Sequence, residues 1–173
     1  MSNVIGIIPA RSGSKSVKDK NIALLEGYPL LAYSVVAAKL SAKIDRVIIS
    51  TNSEEYIEIA TIYGAEAPFV RPESISGDKS TDTEFMHHAL QWYQENEGEA
   101  PEYWAHLRPT TPLRDPKIID DAIHQLQENS MATCLRSAHK SPESPLKWFQ
   151  MNDGYFQGLT DAVKNTEQLN MPN

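Results

Sequence analysis

The residues best suited to chemistry lie in one stretch, Ile7-Ile8-Pro9-Ala10-Arg11-Ser12-Gly13-Ser14-Lys15, closed by Lys20-Asn21. It follows directly on an apolar run, Val4 to Ile8. An apolar run opening into small, hydroxyl-bearing and cationic residues reads as a strand delivering an anion-binding loop. Gly13 permits a tight backbone path on which N–H groups can converge. Ser12, Ser14 and Ser16 add hydroxyl donors. Arg11 can fork onto two phosphate oxygens, and Lys15 or Lys20 supplies a mobile point charge. The spacing is neither G-x-x-x-x-G-K-[ST] nor G-x-G-x-x-G. The loop therefore predicts a polyphosphate held in a frame of its own.

Other chemistries find little support. No G-x-S-x-G elbow is present, which argues against Ser-His-Asp hydrolysis. Of the 5 histidines, His87 and His88 are adjacent on a predicted helix and diverge by about 100°, as do Asp120 and Asp121, so neither pair chelates readily. His88 is expected in the core with its polar atoms satisfied, and His87 at the surface. No catalytic role is assigned to any histidine, and no metal ligand is assigned within the chain. The single cysteine, Cys134, excludes an internal disulfide and a cysteine zinc site; its apolar neighbours predict a buried thiol. With 23 acidic and 16 basic residues the net charge is −7, against a general nucleic-acid binder. No stretch is apolar enough to span a membrane. Met1-Ser2-Asn3 is not basic and Pro9 ends the apolar run early, so no secretory leader is read. The expected location is cytoplasmic.

The elements that must position the loop alternate in type. Strands are predicted at Val4–Ile8, Arg46–Ser50, Ala65–Val70 (weak), Tyr103–Leu107 and Met131–Arg136. Helices are predicted from Pro29 to about Ser41, from the Ser53 cap to about Tyr63, from a Thr81–Glu84 capping box onward, and after Asp115-Pro116. Apolar stripes fall at Leu31, Val35 and Ala38, at Phe85, His88, Ala89 and Trp92, and at Ile119, Ala122, Ile123 and Leu126. This alternation predicts an α/β fold, a mainly parallel sheet with helices on both faces. Ligands of such sheets bind beyond the carboxyl ends of the strands. The loops Pro9–Asn21, Ser50–Ser53 and Arg108–Arg114 should therefore converge. Residues 1–136 read as one α/β domain that carries the polyphosphate loop. After Ser137 the character changes: a proline-rich stretch, Ser141 to Pro145, precedes a small hairpin turning at Asn152-Asp153-Gly154.

Four blocks carry a resemblance: the 7–21 loop; Val47-Ile48-Ile49-Ser50-Thr51-Asn52-Ser53; Tyr63-Gly64-Ala65-Glu66 leading to Phe69-Val70-Arg71-Pro72; and Arg108-Pro109-Thr110-Thr111-Pro112-Leu113-Arg114. In this order they resemble the acylneuraminate cytidylyltransferases (CMP-sialic acid synthetases). The resemblance implies a Rossmann-like nucleotidyltransferase fold in which residues 1–136 are the nucleotide-binding domain, with a small β-rich dimerisation excursion, begun here at 137–173, and a homodimer. It implies that CTP and a nine-carbon sugar acid give the CMP-sugar and pyrophosphate, with Mg2+. By the same resemblance Arg11 and Lys20 are catalytic through the triphosphate. Ala10, Ser12, Gly13, Ser14, Lys15 and Asn21 join them in binding CTP, with Arg71, Ser80 and Thr81. Arg108, Thr110, Thr111 and Arg114 line the sugar pocket. Arg108 stands where sialic acid synthetases usually carry Gln, which brings legionaminic acid or another nonulosonate into range; Ser16 stands where the family commonly carries Gly, and Asn52 where many members carry Asp. A 3-deoxy-octulosonate enzyme would carry a different set after Gly13. The family's metal-binding Asp-x-Asp pair falls in a later segment, so the Mg2+ ligands are expected beyond Asn173. The alternative reading is a nucleotide-binding fragment or paralogue with weak or no turnover.

Overall fold

Why the first strand lies at the centre of the sheet follows from its sequence. Val-Ile-Gly-Ile-Ile carries nothing polar on either side, as a strand covered on both faces must. A computed structural model of the chain describes residues 3–14, 17–138, 140 and 149–158, and divides it into two compact units, Met1–Cys134 and Leu135–Asn173. In the first unit the strands are β1 (Val4–Pro9), the two-residue β2 (Leu24–Leu25) and β3 (Tyr28–Pro29), β4 (Arg46–Ser50) and β5 (Tyr103–His106). The helices are α1 (Leu30–Leu40), α2 (Glu54–Ile62), α3 (Asp82–Asn96) and α4 (Pro116–Glu128). The main sheet runs β4-β1-β5, all parallel, with Ile7 opposite Ile48 on one side and His106 on the other.

The two-residue period of the strands sorts the core into two layers. Val4, Ile8, Val47 and Ile49 meet Leu31, Val35 and Ala38 of α1, Tyr56 and Ala60 of α2, and Ile119 and Ile123 of α4. Ile5, Ile7 and Ile48 meet Phe69 and Phe85, Ala89 and Tyr93 of α3. Helices thus cover both faces, as the alternation predicts. Gly6 is required by close approach: a Cβ there would lie 3.2 Å from Cγ2 of Ile44 and 3.5 Å from Cβ of Ala38.

Four expectations change. Ala65–Val70 forms no regular strand; Glu66 alone bridges Ile48, because Pro68 has no N–H to extend a ladder. Met131–Arg136 is not a strand either. Asn129 folds the chain into a turn, its Oδ1 accepting from Met131 N at 3.2 Å and its carbonyl from Ala132 N at 3.0 Å. Cys134 is consequently exposed rather than buried. His88 lies edge-on to Phe69, ring centroids 4.7 Å apart, but its Nδ1 has no hydrogen-bond partner among the described residues. Burial, and then the charge of Arg71, hold His88 below the ordinary histidine value, so it stays neutral. His87 is exposed.

The β2–β3 ribbon turns at Glu26-Gly27, both at positive φ (49° and 83°), the two-residue turn that suits strand twist. In the second unit β6 (Phe149–Asn152) and β7 (Tyr155–Gly158) form the hairpin expected at Asp153-Gly154. Lys15, Ser16, His139, residues 141–148 and residues after 158 lie outside the described residues.

Ile8→Ala removes a fully buried side chain of the first layer. We expect denaturant unfolding to report a loss of about 2–5 kcal/mol.

Candidate functional site

Three parallel strands end side by side, and the chain leaving each is tied to its neighbour. Ala10 N donates to the Ser50 carbonyl at 3.0 Å, and Leu107 N to the Ile7 carbonyl at 3.0 Å. The loop after β1 is then held by side chains. Asn21, buried, donates from Nδ2 to the Arg11 carbonyl at 3.0 Å. Asn52 Oδ1 accepts from Ser12 N at 3.0 Å, and Asn52 Nδ2 donates to Ser12 Oγ at 2.9 Å. Gly13 sits at φ 69°, a conformation that costs other residues strain. Tyr56, fully buried, donates its hydroxyl to Asp19 Oδ1 at 3.3 Å, beside Lys20. Burial first, then the Asp19 charge, push this phenol up to about 12, so it remains a donor at neutral pH.

The strongest electrostatic feature is Arg71, which is only 4% exposed. Its backbone N–H donates to the Thr51 carbonyl at 2.7 Å. Its Nε donates to Ser50 Oγ at 3.0 Å, and Nη2 to the Ser50 carbonyl at 2.5 Å. The guanidinium lies over the Phe85 ring, 4.8 Å from the centroid. All these acceptors are neutral, and among the described residues no carboxylate forms an ion pair with Arg71. Burial, then Arg11, push it down to about 10, with Asp82 opposing. It is still charged at neutral pH, and the lowered value reports a cation stripped of water without full compensation. An anion in the cleft would supply what is missing.

The cleft, of about 240 Å³, is lined by Pro9, Arg11, Ser14, Lys20 and Asn21 from the first loop, Arg71 and Phe85, Ser80, Thr81 and Asp82 at the start of α3, and Arg108, Pro109 and Thr110 after β5. Thr81 opens α3 with the expected capping box: Thr81 N donates to Glu84 Oε2 at 2.5 Å. Two of the cleft's arginines are held by acids of a single segment. Arg11 pairs with Asp78 at 3.0 Å, and Arg108 with Asp82. Nine of the residues predicted from sequence therefore meet here: Arg11, Ser14, Lys20 and Asn21, with Arg71, Ser80, Thr81, Arg108 and Thr110.

The others take different places. Ala10 is buried beneath the loop, Ser12 is engaged by Asn52, and Gly13 and Thr111 face solvent. Lys15 is outside the described residues. Arg114 turns inward, donating to Ser34 Oγ at 2.9 Å and to the Arg108 carbonyl at 2.8 Å. Burial lowers its pKa, and it lines a separate apolar groove beside α1. It secures the 108–114 loop rather than entering the cleft. Phe85 is read from the sequence only as a core residue of its helix, and Asp78, Asp82 and Glu73 have no signal there; their roles depend on tertiary placement, which spacing does not encode. Among the described residues no three of His, Cys, Asp and Glu gather as a cation would require. The carboxylates that reach the cleft's arginines are already paired. These residues by themselves do not make a Mg2+ site.

Comparison with solved structures gives the fold first. A CMP:2-keto-3-deoxy-manno-octonic acid synthetase complexed with CTP superimposes with TM-score 0.61 at 17% identity, over 75% of this chain and 49% of that one. A cytidylyltransferase from Leptospira borgpetersenii gives 0.58 at 20%, over 76% and 51%. The fold is that of the nucleotidyltransferases. Residues 5–153 match the cytidylyltransferase family, and the chain belongs to that family. It is 41% identical over 140 residues to an N-acylneuraminate cytidylyltransferase of Escherichia coli, 81% of this chain and 32% of that protein. It is 37% identical over 123 residues to a pseudaminic acid cytidylyltransferase of Campylobacter jejuni (71% and 53%). It is 33% identical over 132 residues to a CMP-N,N'-diacetyllegionaminic acid synthase of Legionella pneumophila (75% and 56%). The chain thus spans from about a third to just over half of these relatives' length.

Arg71→Met keeps length and removes the charge. We expect a melting temperature within a few degrees of wild type, and affinity for inorganic triphosphate lower by about tenfold or more, measured by calorimetry. Unchanged affinity would show that the buried charge does not serve anions.

Proposed function

We propose that this chain supplies the nucleotide-binding part of a cytidylyltransferase that activates a nonulosonic acid: CTP and the sugar acid give the CMP-sugar and pyrophosphate. The observation that carries this reading is the buried, only partly compensated Arg71 guanidinium in a cleft it shares with Arg11 and Lys20. The sugar's anomeric hydroxyl oxygen forms a bond to the α-phosphorus. The bridge to the β-phosphate breaks, its electron pair leaves on pyrophosphate, and the hydroxyl proton is released. Charge grows on the α-phosphate oxygens and on the leaving group, so catalysis is chiefly positioning and electrostatic stabilisation. Arg11, Lys20 and Arg71 meet that charge. Ser14, Ser80 and Thr81 add hydroxyl donors, and Asn21 shapes the loop through the Arg11 carbonyl.

Arg108, Thr110 and Thr111 are assigned to the sugar acid. A guanidinium suits a carboxylate better than a hydroxyl, and Arg108 already holds one, that of Asp82. The relatives are named for three different nonulosonic acids, which supports the substrate class rather than one sugar. Mg2+ would neutralise triphosphate charge when bound; its ligands are not assigned to the described residues. A homodimer and a cytoplasmic location, where CTP is available, complete the proposal. No helix among the described residues is long and apolar enough to cross a membrane.

Pyrophosphate release with CTP and Mg2+ tests this, run in parallel with N-acetylneuraminate, legionaminate, pseudaminate and 3-deoxy-octulosonate. Release with a nonulosonic acid is expected. CTP binding with no release from any sugar would replace this reading with nucleotide binding without turnover. Arg108→Gln should raise KM for the sugar acid by about tenfold and leave KM for CTP nearly unchanged.

A further inference from the structure

A primary amide has a carbonyl acceptor and two N–H donors, and Asn52 engages all three. Oδ1 accepts from Ser12 N at 3.0 Å, while Nδ2 donates to Ser12 Oγ at 2.9 Å and to Glu73 Oε1 at 2.8 Å. The orientation is fixed by its partners. A flipped amide would turn its NH2 toward the Ser12 N–H and its carbonyl toward the Glu73 carboxylate, two clashes of like groups. Ser12 belongs to the loop that carries Arg11 and Ser14. Glu73 opens the segment that runs from Arg71 through Asp78, Ser80 and Thr81. One side chain at the end of β4 therefore ties together the two halves of the cleft.

We infer that Asn52 is a positioning residue of the phosphate cradle, and that its amide chemistry, not only its shape, sets the spacing between the 11–14 loop and the 71–82 segment. This rests on the proposed function. Asn52 itself does not line the cleft and acts through Ser12 and Glu73. A carboxylate of the same shape could still accept from Ser12 N, and from the Ser12 hydroxyl once it rotates. It would face Glu73 with no hydrogen between the two, and the tie would break into a repulsion.

The test is an exchange of the two groups. Calorimetry with CTP, melting temperature and amide hydrogen exchange at Ser12–Ser14 are measured for wild type, Asn52→Asp, Glu73→Gln and the double variant. Asn52→Asp should weaken CTP binding by about tenfold and speed loop exchange. Glu73→Gln should weaken CTP binding far less than Asn52→Asp, since its carbonyl still accepts from Asn52. In the double variant the amide introduced at position 73 donates to the carboxylate introduced at position 52, and both affinity and exchange protection should return. Two results overturn the inference: wild-type affinity in Asn52→Asp, or a double variant no better than the single. A lower melting temperature with unchanged affinity would reduce Asn52 to a structural role. If wild type binds no CTP, the proposed function fails, and the loop exchange rates still decide the positioning claim.

Discussion

Burying a guanidinium is costly unless its charge is met, and the cleft of this protein is arranged around one that is met only in part. Arg71 gives its hydrogen bonds to Ser50, at the carboxyl end of β4, and its face to Phe85 on α3. Those contacts fix the cation in place without neutralising it. A net charge of −7 over the chain makes the gathering of Arg11, Lys20, Arg71 and Arg108 in one cleft more telling, since the background works against it. An anion bound in the cleft would complete the compensation. A triphosphate is the ligand proposed for it.

The sheet is what makes such a site possible. β1 is apolar on both faces and so occupies the middle, and parallel neighbours on each side bring three strand ends together. The loops leaving those ends have few backbone partners, so side chains hold them: Asn21 and Asn52 on the first loop, Arg114 and Ser34 on the Arg108 carbonyl. Without ligand, Asp78 and Asp82 hold Arg11 and Arg108. Both acids lie on one segment, so an anion that displaced them would loosen that segment from two loops at once.

Much of this is legible in the sequence, because periodicity and capping are local. The strands around Ile7, Ile48 and Ala105, the four long helices and the Asp153-Gly154 turn follow from patterns of a few residues. So does the place of the loop after β1, whose Arg11, Ser14, Lys20 and Asn21 line the cleft. The failures share a cause. Ala65–Val70 and Met131–Arg136 are apolar enough for strands, but pairing is decided by Pro68 and by the turn at Asn129. Cys134 is exposed because its segment pairs with nothing in the sheet. Arg114 carries the same charge as Arg108 but is turned inward by Ser34, a residue distant in sequence. Asp82 and Glu73 gain their roles only from tertiary placement, which no spacing encodes.

The central claim is that Arg71, Arg11 and Lys20 form one triphosphate site, and a crystal structure of the protein with CTP tests it most directly. The account predicts phosphate oxygens within hydrogen-bond distance of all three side chains, with Arg11 released from Asp78. CTP bound elsewhere, with Arg71 still contacting only Ser50 and Phe85, would contradict it.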